Sequence, residues 1–370
     1  MKIGTPIVKG YLDNGKLPNG DDSSIDTGLV AWKRLKVMLD ESVNAGSYSS
    51  KDIVSTYSLV YTVANAYGGG VLSPNGDIHF VPWYANVGQK VSNAGVVSTY
   101  SLIYTIAYMY VGGVLAPNGD IYFIPRNGAV GQKISASGVV STYSLVYTDA
   151  SFMGGVLAPN GDIHFVPQNA LVGQKVSSAG VVSTYALIYG ESDACRGGCL
   201  APNGDIHFVP HSAPVGQKVS ASGVVSTYAL AYTAAEAYNS GVLASNGDIH
   251  FVPAAAAVGQ KINSSGVVST YSLVFTSSSK AYSGGVLSPN GDIHFIPASA
   301  IVGQKVTVDG IVSTYTLIYT ATTAYQGGIL MLNGDIHFIN ASGTVGQKIS
   351  TMPCKPWSLG ICCSPFFNKF

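Results

Sequence analysis

Residues 69–82 read GGVLSPNGDIHFVP, and the fold turns on how that stretch is read. Two short apolar runs, GGVLSP and DIHFVP, flank Asn75-Gly76. In Ser73-Pro74-Asn75-Gly76, proline presets the φ of the first corner of a type I turn, and glycine accepts the positive φ that follows. The stretch therefore predicts a β-hairpin with a three-residue loop and a glycine bulge. Its Asn-Gly-Asp returns at Asn118, Asn160, Asn203, Asn246, Asn290 and Asn333, in steps of 42–44 residues. Ser245 and Leu332 replace the proline in two copies, yet Asn-Gly stays. Losing proline only loosens the unfolded chain, whereas losing glycine strains the folded one.

Two further phrases keep the same beat. VSTYSLVYT starts at Val54 and recurs from Val97, Val140, Val182, Val225, Val268 and Val312. VGQK starts at Val87 and recurs from Val130, Val172, Val215, Val258, Val302 and Val345. VSTYSLVYT alternates, with Ser55, Tyr57, Leu59 and Tyr61 on one side and Thr56, Ser58 and Val60 on the other, and it is rich in residues that suit a pleated sheet. Glycine or proline interrupts every few residues, too often for helices. Each unit thus reads as four short strands: GGVLSP (A), DIHFVP (B), VGQKVS (C) and VSTYSLVYT (D). A period of about 43 residues with four strands per unit is that of a β-propeller blade. One such sheet cannot cover both of its faces, and a ring of them can.

The expected fold is all-β: a seven-bladed β-propeller of four antiparallel strands per blade. The array opens on a D strand and finishes on a C strand, so these ends are expected to pair and close the ring. The expected organisation is an N-terminal anchoring segment at 1–51, the propeller at 52–350 and an apolar tail at 351–370. The unit resembles the NHL and WD-repeat type of propeller over about 300 residues. That resemblance implies architecture and leaves function open.

The chain has 370 residues, of which 47% are apolar and 10% charged, with zero formal net charge. Such a balance gives no electrostatic reason to expect a nucleic-acid partner. MKIGTPIVKGYLDNG lacks the apolar run of a secretory signal, and no stretch approaches a membrane span. Cytoplasmic synthesis is expected. The five cysteines read as free thiols, with a disulfide among Cys354, Cys362 and Cys363 as the alternative. TGLVAWKRLKVMLDES predicts a helix capped by Thr27, with Leu29, Trp32, Leu35 and Leu39 on one stripe.

The repeated chemistry reads as structural. His79, His164, His207, His250, His294 and His337 hold equivalent positions, and Tyr122 takes the seventh. Tyrosine is a poor exchange for an imidazole metal ligand, and B strands lie too far from the axis to converge on one ion. Buried neutral imidazoles bonded to a tyrosine, serine or backbone partner are expected. Asp77 and Lys90, with their equivalents, are expected to form structural salt bridges or turn hydrogen bonds. No GxxxxGK[ST], HExxH or GxSxG occurs. No metal and no cofactor is expected.

The copies differ mainly in the D–A and B–C loops, which share one face of a propeller. Tyr67, Trp83, Tyr84, Tyr110, Arg126, Phe152, Arg196, His211 and Tyr238 fall there, and aromatics and arginine favour interfaces. They are the candidate partner-binding residues. Trp32, Trp357, Phe366, Phe367 and Phe370 are the candidate anchors in the ends. The resulting expectation is a non-enzymatic structural or binding disc in a larger assembly, with other subunits as partners. The wording of the repeat resembles propeller arrays in structural proteins of tailed phages. That resemblance implies a virion component, in capsid decoration or a tail appendage. One alternative is a lectin-like propeller binding cell-surface glycans with one site per blade. Another is an enzyme at the channel mouth, drawing on Glu191, Asp193 and His211.

Overall fold

The computed structural model describes residues 52–148 and 152–351. Blade 1 consists of β2 (Tyr67–Leu72), β3 (Ile78–Pro82), β4 (Val87–Val91) and β5 (Val97–Ser101), paired in that order. The same antiparallel sheet recurs as blades 2 to 6, which span 110–144, 152–186, 195–229, 238–272 and 282–316. Blade 7 has the order β1 (Ile53–Ser58), β28 (Val345–Ser350), β27 (Asp335–Asn340), β26 (Tyr325–Leu330). The first strand of the array thus completes the last blade, in register from Ile53 opposite Ser350 to Ser58 opposite Val345. The described residues contain no helix. The seven-bladed ring and its closure are as the repeat implies. The 27–42 helix, the anchoring tryptophans and phenylalanines and the tail cysteines lie outside the described residues.

The opening hairpin has the expected turn. Gly76 has φ 86°, its N–H donates to Ser73 O at 2.9 Å, and Ser73 N–H donates to Asp77 O at 2.9 Å. Between blades the core repeats. Tyr67, Ile78, Phe80 and Val91 of blade 1 pack with Met331 and Ile339 of blade 7, joined by Tyr57, Leu59 and Tyr61. Phe80 and Tyr67 are fully buried, ring edge to ring face at 5.3 Å. Burying each such side chain stabilises by roughly 2 kcal/mol.

The outer strand is shorter than VSTYSLVYT suggests. It ends at Ser58 because its partner β28 starts at Val345, and at Ser101 because its partner β4 starts at Val87. The remaining residues bend onto the next blade, where Val60 and Tyr61 N–H donate to Gln89 Oε1 at 3.1 and 2.8 Å. A glutamine clamps the preceding blade this way at every interface, as Gln217 does with Ile188 and Tyr189. The glycine of VGQK has its own purpose. A Cβ on Gly88 would lie 2.2 Å from the Tyr100 ring, so the tyrosine occupies the space a side chain would fill.

The polar repeats are spent inside the blades. Lys90 Nζ lies 2.8 Å from Asp77 Oδ2, and each of the seven blades has the same pair. Burial alone would raise the Asp77 carboxyl; Lys90 and the Asn93 N–H overcome it and hold it below its ordinary value. Four of the six histidines bond tyrosines across the sheet, among them His164 Nδ1 to Tyr185 Oη at 3.1 Å and His250 Nδ1 to Tyr271 Oη at 3.2 Å, while His207 and His294 only pack ring to ring with theirs. Burial, with the nearby lysine, pushes His79 and His164 down to about 4. In blade 2 the Tyr122 ring packs against Tyr143 at 5.3 Å instead. Blade 6 carries an addition: Asp52, just ahead of β1, lies 2.7 Å from Lys305, which also holds Asp292 at 3.0 Å. Cys195 and Cys199 are free and buried, and burial pushes both thiols up to about 12.

Candidate functional site at the channel mouth

Within this repetition the loop face varies most, and three of its variable positions per blade sit where that face meets the axis. The second residue of the inner strand is Gly68, Val111, Met153, Arg196, Asn239, Ser283 and Gln326 in turn around the ring. The residue after the B strand is Trp83, Arg126, Gln168, His211, Ala254, Ala298 and Ala341. The second-last D–A loop residue is Asn65, Tyr108, Asp193, Glu236, Lys280 and Thr323 in the six blades where it is described. A cavity of about 200 Å³ opens there, lined by inner-strand glycines with Val111, Met153, Asn239, Ser240, Ser283 and Gln326.

The loop backbone shows that the side chains are retained at a cost. Asn65, Tyr108, Asp193, Glu236 and Thr323 have φ of 55°, 59°, 56°, 57° and 52°. Glycine would be unstrained there, and a residue with Cβ loses about 1 kcal/mol. Five different side chains stand where the smallest residue would be the most comfortable.

Blade 4 supplies the densest polar cluster. Asp193 Oδ2 lies 3.0 Å from His211 Nδ1, and Asp193 Oδ1 accepts from Gln168 Nε2 at 2.7 Å and from Arg196 Nη2 at 3.1 Å. The His211 contact, then Gln168 and Arg196, hold Asp193 well below the carboxylate range against the opposing effect of burial. Arg196 Nη1 also reaches Asn239 Oδ1 at 3.5 Å. Across the mouth, the Arg126 guanidinium sits 5.3 Å from the Trp83 ring centre and 5.6 Å from that of Tyr108, which packs on Tyr84 at 4.3 Å. In blade 6, half-buried Lys280 donates to Gln326 Oε1 at 2.6 Å. Burial, then the charges of Arg196 and Arg126, push the Lys280 amine down to about 8. Burial and Arg196 likewise push Arg126 down.

Three cations on alternate blades therefore feel one another, against two carboxylates, Asp193 and Glu236, at the equivalent loop positions of blades 4 and 5. Elsewhere in the ring each blade's lysine has its own aspartate. The mouth carries surplus positive charge, and in a confined site such charge favours an anion. Two donors there, Trp83 Nε1 and Arg196 Nε, are buried with no acceptor, which costs free energy until one is supplied. The described residues hold no group of three or more His, Cys, Asp or Glu able to bind a metal ion.

Of the candidates read from the sequence, Trp83, Tyr84, Arg126, Arg196 and His211 lie at this mouth. Tyr67, Tyr110, Phe152 and Tyr238 do not face a partner: each is 0–1% exposed inside a blade interface. They open the inner strand, and alternation turns them inward, where Tyr67 Oη donates to Val87 O at 3.2 Å. His211 is itself 1% exposed, turned onto Asp193. The proposed trio forms only in part, since Glu191 is exposed while Asp193 and His211 meet. Lys280, Gln326, Asn239 and Tyr108 were missed. Their change from blade to blade is visible in the sequence, but what sets Lys280 apart is not, since it is the nearness of Arg196 and Arg126.

No family model matches the chain, and no curated protein matches it in sequence. Solved structures match the fold. A streptogramin B lyase aligns at TM-score 0.70 with 21% identity, over 80% of this chain and 97% of that one. A catalytically inactive histidine-to-alanine variant of virginiamycin B lyase from Staphylococcus aureus, with quinupristin, aligns at 0.71 with 18% identity, over 81% and 99%. Hydrazine synthase from Kuenenia stuttgartiensis aligns at 0.60 with 10% identity, over 80% and 98%. These likenesses establish the ring. The expectation of a non-enzymatic virion disc is corrected by them, since the lyase structures that match this ring are named as enzymes. The lectin reading also loses its basis, since the repeated His and Asp are occupied within the blades by Tyr and Lys.

Proposed function

We propose that this chain is an enzyme acting on a small anionic substrate at the loop-face mouth of its channel. Arg126 and Arg196 hold the negative group, and Lys280 takes and returns a proton. The observation that carries this reading is the gathering of charge: among the positions that vary from blade to blade on the loop face, three lie near the axis and bring together three mutually repelling cations. A lysine near 8 is half-way to its neutral, proton-accepting form at mildly alkaline pH, the range in which a general base is most effective. The Asp193–His211 pair fixes Arg196 by giving its guanidinium a rigid carboxylate to bond. The enzymes named among the matched structures support the reading by analogy of fold.

The test is calorimetric titration of acetate, succinate and inorganic phosphate into the wild type and into Arg196→Met and Lys280→Met. Binding that weakens tenfold or more in both variants, with a wild-type pH dependence centred near 8 that Lys280→Met removes, is the expected result. Equal affinity in all three proteins would overturn the proposal. Incubation with a mixed pool of carboxylates and phosphates, followed by mass spectrometry, would then identify which anion the wild type consumes and Lys280→Met does not.

A further inference from the structure

Beneath the mouth the channel changes character. A second cavity of about 600 Å³ runs along the inner strands, lined by Val71, Leu72, Val114, Leu115 and their equivalents in the other blades. Its wall has no charged residue, and its polar side chains are Ser240 and Ser245. The two cavities share wall residues, among them Gly70, Gly113, Gly155 and Gly198, so they lie next to each other along the inner strands. At the neck between them the inner strands crowd backbone to backbone. A Cβ on Gly112 would come within 2.9 Å of Gly154 Cα, and one on Gly284 within 2.8 Å of Gly327 Cα. Its wall is mainly the last three residues of each inner strand, as Gly70, Val71 and Leu72 in β2, so the apolar column is roughly 10 Å long.

A column of this shape, with a cationic collar at one end and aliphatic walls below, matches a rod with one charged end. We propose that the substrate is a single-tailed anionic amphiphile, its head at Arg126, Arg196 and Lys280 and its linear hydrocarbon chain lying along the propeller axis. This deepens the reading above and rests on it. The neck is glycine in every blade but the fifth, where Ser240 stands, so methylenes meet one small side chain there. The leucine and valine zone exchanges their water contact for an apolar one. Together the cavities fall within the size range of small-molecule sites. The head is a carboxylate or a phosphate, since both suit paired guanidinium groups, and the two sources are separated by experiment.

The experiment is calorimetry on the full chain with straight-chain carboxylates of four, eight, ten and twelve carbons, alkyl phosphates of the same lengths, and the matching alcohols, all below their aggregation limits. Affinity is expected to climb about fourfold per methylene until the column is full. Alcohols are expected to bind at least tenfold more weakly, and the tighter of the two acid series names the head group. Leu287→Asn, in the wall of the column, should weaken the twelve-carbon acid and leave acetate unchanged. The length series on the wild type decides the matter even where that variant folds poorly. Affinity flat from four to twelve carbons, with short anions still bound, would overturn the tail and leave the mouth intact. No binding by any anion, short or long, would remove the mouth reading and the tail with it.

Discussion

The blade interiors and the channel mouth follow opposite rules. Inside a blade, each interface uses the same parts: a tyrosine over a glycine, a glutamine clamping two N–H groups, a lysine held by an aspartate. At the mouth, equivalent positions carry residues as unlike as Gly68, Met153 and Arg196, and some tolerate backbone strain to do so. The difference teaches where each kind of constraint acts. Ring closure demands that seven wedges fit one another, so packing residues are repeated. An axial site lies on the one line that all blades share, so its chemistry is assembled one residue per blade, and repetition there would only multiply the same group.

Four measurements would break or sharpen that contrast. The largest effect is expected from deleting residues 50–62, which removes β1 and Tyr57, Leu59 and Tyr61 with it. The melting temperature should drop by more than about 10 °C, and an unchanged melt would mean that blade 7 does not need its borrowed strand. Next comes acid. Six buried histidines sit at about 4, against an unfolded value of about 6.5. Their contribution is complete above 6.5 and is lost as pH falls toward 4, because the unfolded chain takes up protons the fold refuses. A melting temperature at pH 5 equal to that at pH 7.5 would contradict the burial. Third, Gly131→Ala places a methyl 2.0 Å from the Tyr143 ring and should cost about 3 kcal/mol in urea unfolding. The smallest effect belongs to the mouth. Lys280→Met should change stability by less than about 0.5 kcal/mol, and a loss comparable to that of Gly131→Ala would show that the mouth is structural after all.

The architecture was legible because a hairpin's chemistry repeats with its period: Asn-Gly at seven evenly spaced places is both a turn and a count. The fate of the histidines and of the Asp–Lys pairs was legible too, since a group copied seven times is a poor basis for a chemistry needing two different environments. Strand ends were harder. Nothing in VSTYSLVYT marks Ser58 as the last paired residue; that limit is set by where β28 begins in space, at Val345. The site was legible only in part. Trp83, Arg126 and Arg196 stand out as large residues in variable loops, but Tyr67 and Tyr238 stand out equally, and alternation along a strand decides which of them see the axis. Lys280 could not be found in sequence as special, because what lowers it is Arg196 and Arg126, 84 and 154 residues earlier in the chain and brought near only by the ring.

The borrowed strand has a consequence for synthesis. β1 leaves the ribosome first among the strands described, and its partner β28 emerges almost 300 residues later, about 15–60 s at ordinary elongation rates. Throughout that interval VSTYS has a free edge and no mate of its own. Its wording is nearly that of every other outer strand, so a β1 from one nascent chain is an equally good closing piece for its neighbour's ring. Crowded translation on one message would favour exchanged pairs, two rings each fastened by the other's first strand.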